Sequence, residues 1–133
     1  MSDQAITKAP CLIVLSEEST ERNDFELVCR RAGFSVDNVS SGFKLLSMLE
    51  KNQYDILVIG TGVDDMPIDE VLVLIRSSYT MSALPIVLFL NKYNDDVVAH
   101  YMELEVNDFL MRPINYNKAL GIINYLIKST SSS

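Results

Sequence analysis

Tyr54-Asp55-Ile56-Leu57-Val58-Ile59 (YDILVI) is a strand-length run that is apolar but for Asp55, and it runs directly into Gly60-Thr61-Gly62. A strand with one wet face would alternate polar and apolar residues. This one does not, which fits a strand covered by helices on both faces of a parallel sheet. Two further runs have the same character, Cys11–Leu15 (CLIVL) and Pro85–Leu90 (PIVLFL). The stretches between them carry apolar residues at helical spacing.

Working outward, Asp24–Gly33 places Phe25, Val28, Cys29 and Ala32 on one helical face, with Gly33 as the stop. Ser35–Val39 is a fainter strand. Ser41 can cap a helix carrying Leu45, Met48 and Leu49. Gly60–Asp69 reads as a loop and Val71–Arg76 as a helix. Asn94–Glu105 reads as a helix with Val97, Val98, Tyr101 and Leu104 inward. Asp108–Met111 is a short last strand. Asn115 can cap a final helix through Lys128, whose apolar face is Ala119, Leu120, Ile122, Ile123 and Leu126. Five strand–helix units with right-handed crossovers predict an α/β fold, a doubly wound five-stranded parallel sheet. In such sheets a site lies beyond the carboxyl ends of the strands. That selects Ser16–Glu18, Gly60–Gly62, Leu90–Asn91 and Arg112–Pro113.

The chain divides into an N-terminal segment 1–9, a folded domain 10–128, and a Ser-rich tail 129–133 that reads as a flexible terminus or the start of a linker. With 48% hydrophobic and 22% charged residues it can bury a core of ordinary size. A net charge of −7 without a basic cluster speaks against nucleic-acid contact by this domain. No apolar run spans a bilayer and the first residues lack a signal-peptide core, so a soluble, cytoplasmic protein is expected. Two isolated cysteines, Cys11 and Cys29, and one histidine, His100, make no zinc pattern. His100 sits mid-helix, away from any strand end, so no nucleophile–histidine pairing assembles. Ser16, Ser19 and Thr20 resemble a flavin-phosphate loop only loosely, and Ser19 or Thr20 reads instead as a helix cap. That loop has no glycine, and Glu17 and Glu18 would repel a phosphate. Gly60-Thr61-Gly62 lacks the third glycine of a dinucleotide fingerprint. No cofactor and no metal are expected, nor enzymatic activity.

From about Pro10 to Lys128 the chain resembles a bacterial response-regulator receiver domain of the chemotaxis-regulator type, with its flavodoxin-like (βα)5 architecture. The spacing matches without a gap from Tyr54 to Pro113, including MSALP at Met81–Pro85. Leu15 to Gly33-Phe34 is a second anchor. Arg112-Pro113 stands at the family's Lys-Pro dipeptide, whose peptide bond is usually cis.

The resemblance implies a site of five groups: two acids after strand one, a phosphoacceptor aspartate after strand three, a Thr or Ser after strand four, and a lysine after strand five. Magnesium needs the hard oxygens, and the phosphoryl group needs its charge neutralised. This chain departs at nearly every position. The aspartate falls on Gly60, which has no nucleophile. The acids fall on Ser16 and Glu17, the hydroxyl on Leu90, and the lysine on Arg112. Glu17 alone is too few carboxylates for a magnesium site. Arg112 is expected to fill the emptied pocket and pair with Glu17, as an internal surrogate for the phosphorylated state.

Two functions follow from the resemblance. The first is a pseudo-receiver, a phosphorylation-independent module of two-component signal transduction. It would act by protein–protein interaction or dimerisation and regulate an attached or partner output domain. The alternative is a still-responsive receiver that uses a displaced aspartate, Asp64 or Asp65. Carried over by position, the helix 4–strand 5–helix 5 face includes Tyr93, Asp95, Asp96, His100, Tyr101 and Glu103, then Asn117, Lys118, Tyr125 and Lys128. Phe109 holds the switch-aromatic position, and Leu90 is expected to restrict how it turns. The partner is a protein or a second copy of the chain.

Overall fold

The structure is a computed structural model and describes residues 9–131. The elements alternate as β1 (Cys11–Leu15), α1 (Thr20–Arg31), β2 (Ser35–Val39), α2 (Gly42–Lys51), β3 (Ile56–Ile59), α3 (Ile68–Arg76), β4 (Ile86–Leu90), α4 (Asp95–Glu103), β5 (Asp108–Met111) and α5 (Tyr116–Ser131). One parallel sheet runs in the order β2-β1-β3-β4-β5. The order reverses at β1 and β3, which places the switch point between their carboxyl ends.

Side chains alternate across the sheet, which explains the unbroken apolar strands. Ile13, Leu15, Leu57, Ile59 and Leu88 pack with Leu45, Val71, Leu72 and Ile75 of α2 and α3. Leu12, Val14, Ile56, Val58 and Phe89 pack on the other face with Phe25 and Cys29 of α1 and Ala119 and Ile123 of α5. Both faces are covered, so neither alternate set meets water. Among the described residues no helix is long and apolar enough to cross a membrane.

Several boundaries differ from the sequence reading. Helix α1 begins at Thr20, four residues earlier, because Ser19 Oγ accepts from the Arg22 N–H at 3.1 Å and caps it. Its first turn holds no core residue, so apolar periodicity misses it. Helix α3 begins at Ile68, inside the expected loop, with Pro67 at its N-cap. Helix α5 continues past Lys128 to Ser131, since nothing in Ser129-Thr130-Ser131 breaks a helix. Residues 1–8 and 132–133 lie outside the described residues.

The edge near β4 and β5 is tied by one buried cation. Arg76, at the end of α3, donates to the carbonyls of Tyr79 (3.2 Å), Thr80 (3.0 Å), Leu84 (2.9 Å) and Glu105 (2.7 Å). It also reaches Asn107 Oδ1 at 3.1 Å, and that oxygen accepts from the Ile86 N–H at 2.9 Å. Glu105 takes a left-handed φ of 66° at the turn into β5, and Arg76 holds its carbonyl. Helix α4 packs more loosely: none of its residues is buried, and Val97, expected inward, is 38% exposed.

Candidate functional site

The carboxyl ends of β1, β3, β4 and β5 bring the four selected segments together. The β1 loop closes on the β3 loop through backbone bonds. Glu17 N–H donates to Thr61 O at 2.8 Å, and Gly60 N–H to Leu15 O at 2.8 Å. Ser16 is buried, and its hydroxyl bonds the carbonyls of Glu17 (3.2 Å) and Thr61 (3.4 Å). That hydroxyl occupies the ground over Gly60. A β-carbon built on Gly60 would meet Ser16 Oγ at 2.6 Å and Ser16 Cβ at 2.9 Å. Gly62, at φ 81°, is similarly overlain by the Glu17 side chain. Both loops therefore approach more closely than side-chain-bearing residues would permit.

Arg112 turns into the site, but its partner is Glu21, not Glu17. Nε and Nη2 grip the two Glu21 carboxylate oxygens at 2.7 and 3.0 Å. Nη1 donates to Asn91 Oδ1 at 2.9 Å, and Nη2 approaches Thr61 Oγ1 at 3.4 Å. The guanidinium also lies 5.4 Å from the Phe89 ring centroid, within cation–π range. The correction has a geometric cause. Once α1 starts at Thr20, Glu21 lies in its first turn on the side facing β5, whereas Glu17 is exposed and laid along Gly62. The signal was present in Ser19 as an N-cap, which turns Thr20-Glu21-Arg22 from loop into helix. Arg22 was also missed; its Nη1 donates to the Ser16 carbonyl at 3.2 Å. The Arg112-Pro113 peptide bond is cis.

The donor set does not fit magnesium. Of the carboxylates here, Glu21 is committed to Arg112, and Glu17 stands alone beside a serine and a glycine. Asp65 does not face the site either. It receives the Ser41 hydroxyl (2.7 Å) and the N–H groups of Gly42 (3.0 Å) and Phe43 (3.3 Å). These bonds at the N-terminus of α2, led by that of Gly42, hold its carboxyl below the usual range. Asp64 is exposed in the same loop.

Leu90 is buried at the end of β4. On its side of the sheet a cavity of about 250 Å³ opens between α3 and α4. Phe109 is half-buried against the same core. Of the candidate surface residues, Tyr93 (60%) and Tyr125 (70%) stand well out of the surface. Asp95, Asp96, Glu103, Asn117, Lys118 and Lys128 are exposed as well. His100 is tied to α3, with Nε2 at 2.7 Å from Asp69 Oδ2. Tyr101, also a candidate, is only partly exposed. It is half-buried and lines the cavity, where burial, and then Asp69, raises its phenol above the ordinary range.

No family model matches the sequence, and no curated protein matches it. Solved structures do match, and they are response-regulator receiver domains. The receiver domain of an HD domain-containing protein from Pseudomonas fluorescens aligns with a TM-score of 0.84 and 14% identity, covering 99% of this chain and 96% of that one. A response regulator from Chloroflexus aurantiacus aligns at 0.81 with 20% identity over 91% and 99%. The chemotaxis response regulator CheY4 of Vibrio cholerae aligns at 0.80 with 14% identity over 90% and 99%. The five-stranded parallel sheet with its five helices is thus the flavodoxin-like fold of CheY-type receivers.

Proposed function

We propose that this domain is a pseudo-receiver of bacterial two-component signalling. It works in the cytoplasm without phosphorylation, through contact with a protein partner or a second copy of itself, and regulates an attached or partner output domain. One observation carries the reading most directly. The phosphoacceptor position is Gly60, and the place its side chain would take is filled by Ser16 Oγ. Leu90 offers no hydroxyl to a phosphoryl group, and Arg112 is already saturated by Glu21, Asn91 and Thr61. A bidentate Arg–carboxylate pair supplies internally the charge complement that a phosphate would bring. It spans α1 and β5 and meets the loops after β3 and β4, so the ends of four strands share one anchor. The natural output surface is the α4–β5–α5 face, where Tyr93 and Tyr125 are exposed.

The displaced-aspartate reading is weaker because Asp65 serves the α2 terminus. Incubation with acetyl phosphate and magnesium, followed by intact mass measurement, separates the two. The mass is expected to stay unchanged. A phosphate-sized gain abolished by Asp64→Asn or Asp65→Asn would establish the alternative and overturn this reading.

A further inference from the structure

We propose that the vacated pocket binds a small uncharged molecule with one aromatic ring or two fused rings, seated between α3 and α4 on the Leu90 side of the sheet. This rests on the reading that the position has left phosphoryl chemistry. The cavity measures about 250 Å³, and none of its lining residues is charged. Its walls are Val63, Ile68, Leu88, Leu90 and Tyr101, with Thr61 at the rim. A closed apolar cavity of about 150 Å³ is enough to hold benzene, so this volume suits a ring with a substituent or a second fused ring. The charged side chains of the site do not line it. Arg112 reaches the rim at Thr61 Oγ1, 3.4 Å from its Nη2, but its charge is paired with Glu21. An ion seated there would meet no charged lining residue and no unpaired guanidinium.

Two features suit the pocket to a ring rather than to water alone. The lining is mostly aliphatic and aromatic, whereas a stable buried water needs several polar partners. The roof is incompletely packed, since α4 buries none of its residues and is joined to α3 by the half-exposed His100–Asp69 pair. A ring beneath Tyr101 would extend the partial apolar contact that Val98 and Tyr101 make with the core. The exposed Thr61 hydroxyl can meet one N–H or O–H on the ligand. Occupancy would then be felt in α4, at the edge of the proposed partner face.

The test is an amide NMR titration of the full chain with indole, using benzoate as the charged counterpart. Indole is expected to give saturable shifts at Gly60–Val63, Ile68, Leu88–Leu90 and Tyr101 at millimolar concentration, and benzoate none. Ile68→Phe and Leu90→Phe fill the cavity and should each weaken indole roughly tenfold, with native circular dichroism. Absence of saturable indole shifts in the unmodified chain overturns the proposal whatever the variants do. So do shifts centred on a second, larger cleft of about 620 Å³ that Leu49–Asp55 line with Tyr79 and Leu84, equal binding of benzoate, or native-like affinity in both filled variants. The acetyl phosphate experiment reads out independently. A mass gain would strike the phosphorylation-independent reading, whereas missing indole shifts with no mass gain would strike the cavity alone.

Discussion

A β-carbon on Gly60 has nowhere to go while Ser16 keeps its place, with Oγ at 2.6 Å and Cβ at 2.9 Å. Gly60→Ala should therefore destabilise the domain by about 1–3 kcal/mol through overpacking. In a Ser16→Gly background, urea unfolding should show that cost falling by about 1 kcal/mol or more, as expected for residues in contact. Equal costs in both backgrounds would mean the two residues do not compete for one space. An aspartate at position 60 should meet the same crowding and cost at least as much. The two nearby glutamates differ just as sharply. Glu21 shares two short hydrogen bonds with Arg112, the side chains being 31% and 17% exposed. Glu21→Gln should cost about 1–2 kcal/mol after allowance for solvent screening. Glu17→Gln should stay within about 0.5 kcal/mol of the parent, as surface changes usually do. The reverse ranking in chemical denaturation would restore the Glu17 pairing. Motif position points to Glu17; only the helical placement of Glu21 brings a carboxylate to the guanidinium.

Helix ends decide more here than helix middles. Each apolar face was visible as spacing, from Leu45 and Leu49 in α2 to Ala119 and Ile123 in α5. Some ends were legible too, with Ser41 before α2 and Asn115 before α5; the starts of α1 and α3 were not, because a polar first turn leaves no apolar trace. Ser19 opens α1 and Asp65 secures α2 from a distant loop. The end of α3 carries the greatest load. The Arg76 side chain is 8% exposed and serves four backbone carbonyls besides Asn107. Truncation leaves the part-buried Tyr79 and Leu84 carbonyls and Asn107 Oδ1 without this donor. Arg76→Met should cost about 3 kcal/mol or more in urea unfolding. Protection against hydrogen exchange should fall first in β5 and the turn at Glu105. A cost under about 1 kcal/mol would mean that water replaces the guanidinium readily. As sequence, Arg76 is only a basic residue in the last helical turn. Its role appears when the α3–β4 and α4–β5 turns converge on it.

For the molecule as a whole, covering both faces of the sheet buries titratable groups in each layer. Cys29 lies in the α1–α5 layer, and burial pushes its thiol up from 9.0 to about 12. Tyr54 lies in the other layer, raised by burial and then by its 2.6 Å hydrogen bond to Asp37. Both groups stay protonated in the folded state at pH values where the unfolded chain has lost the proton. The unfolded state then binds fewer protons, so stability falls as pH rises. That contribution is intact below the ordinary thiol pKa and declines from about pH 9 toward pH 12. Cys29→Ala should flatten the alkaline limb of a stability-versus-pH curve, whatever it does to the plateau. An unchanged slope would show that Cys29 does not carry that loss. By itself the sequence determined the fold class and which residues stand at the carboxyl ends of the strands. Unbroken apolar strands at regular spacing leave few ways to be covered, and the residue after each strand is read directly from the chain. Only the tertiary structure decided which acid Arg112 holds, that Ser16 takes the space over Gly60, and that a cavity opens beneath Tyr101. Those outcomes depend on distances between loops far apart in the chain, and such distances follow from how helices seat on the sheet, which no local spacing encodes.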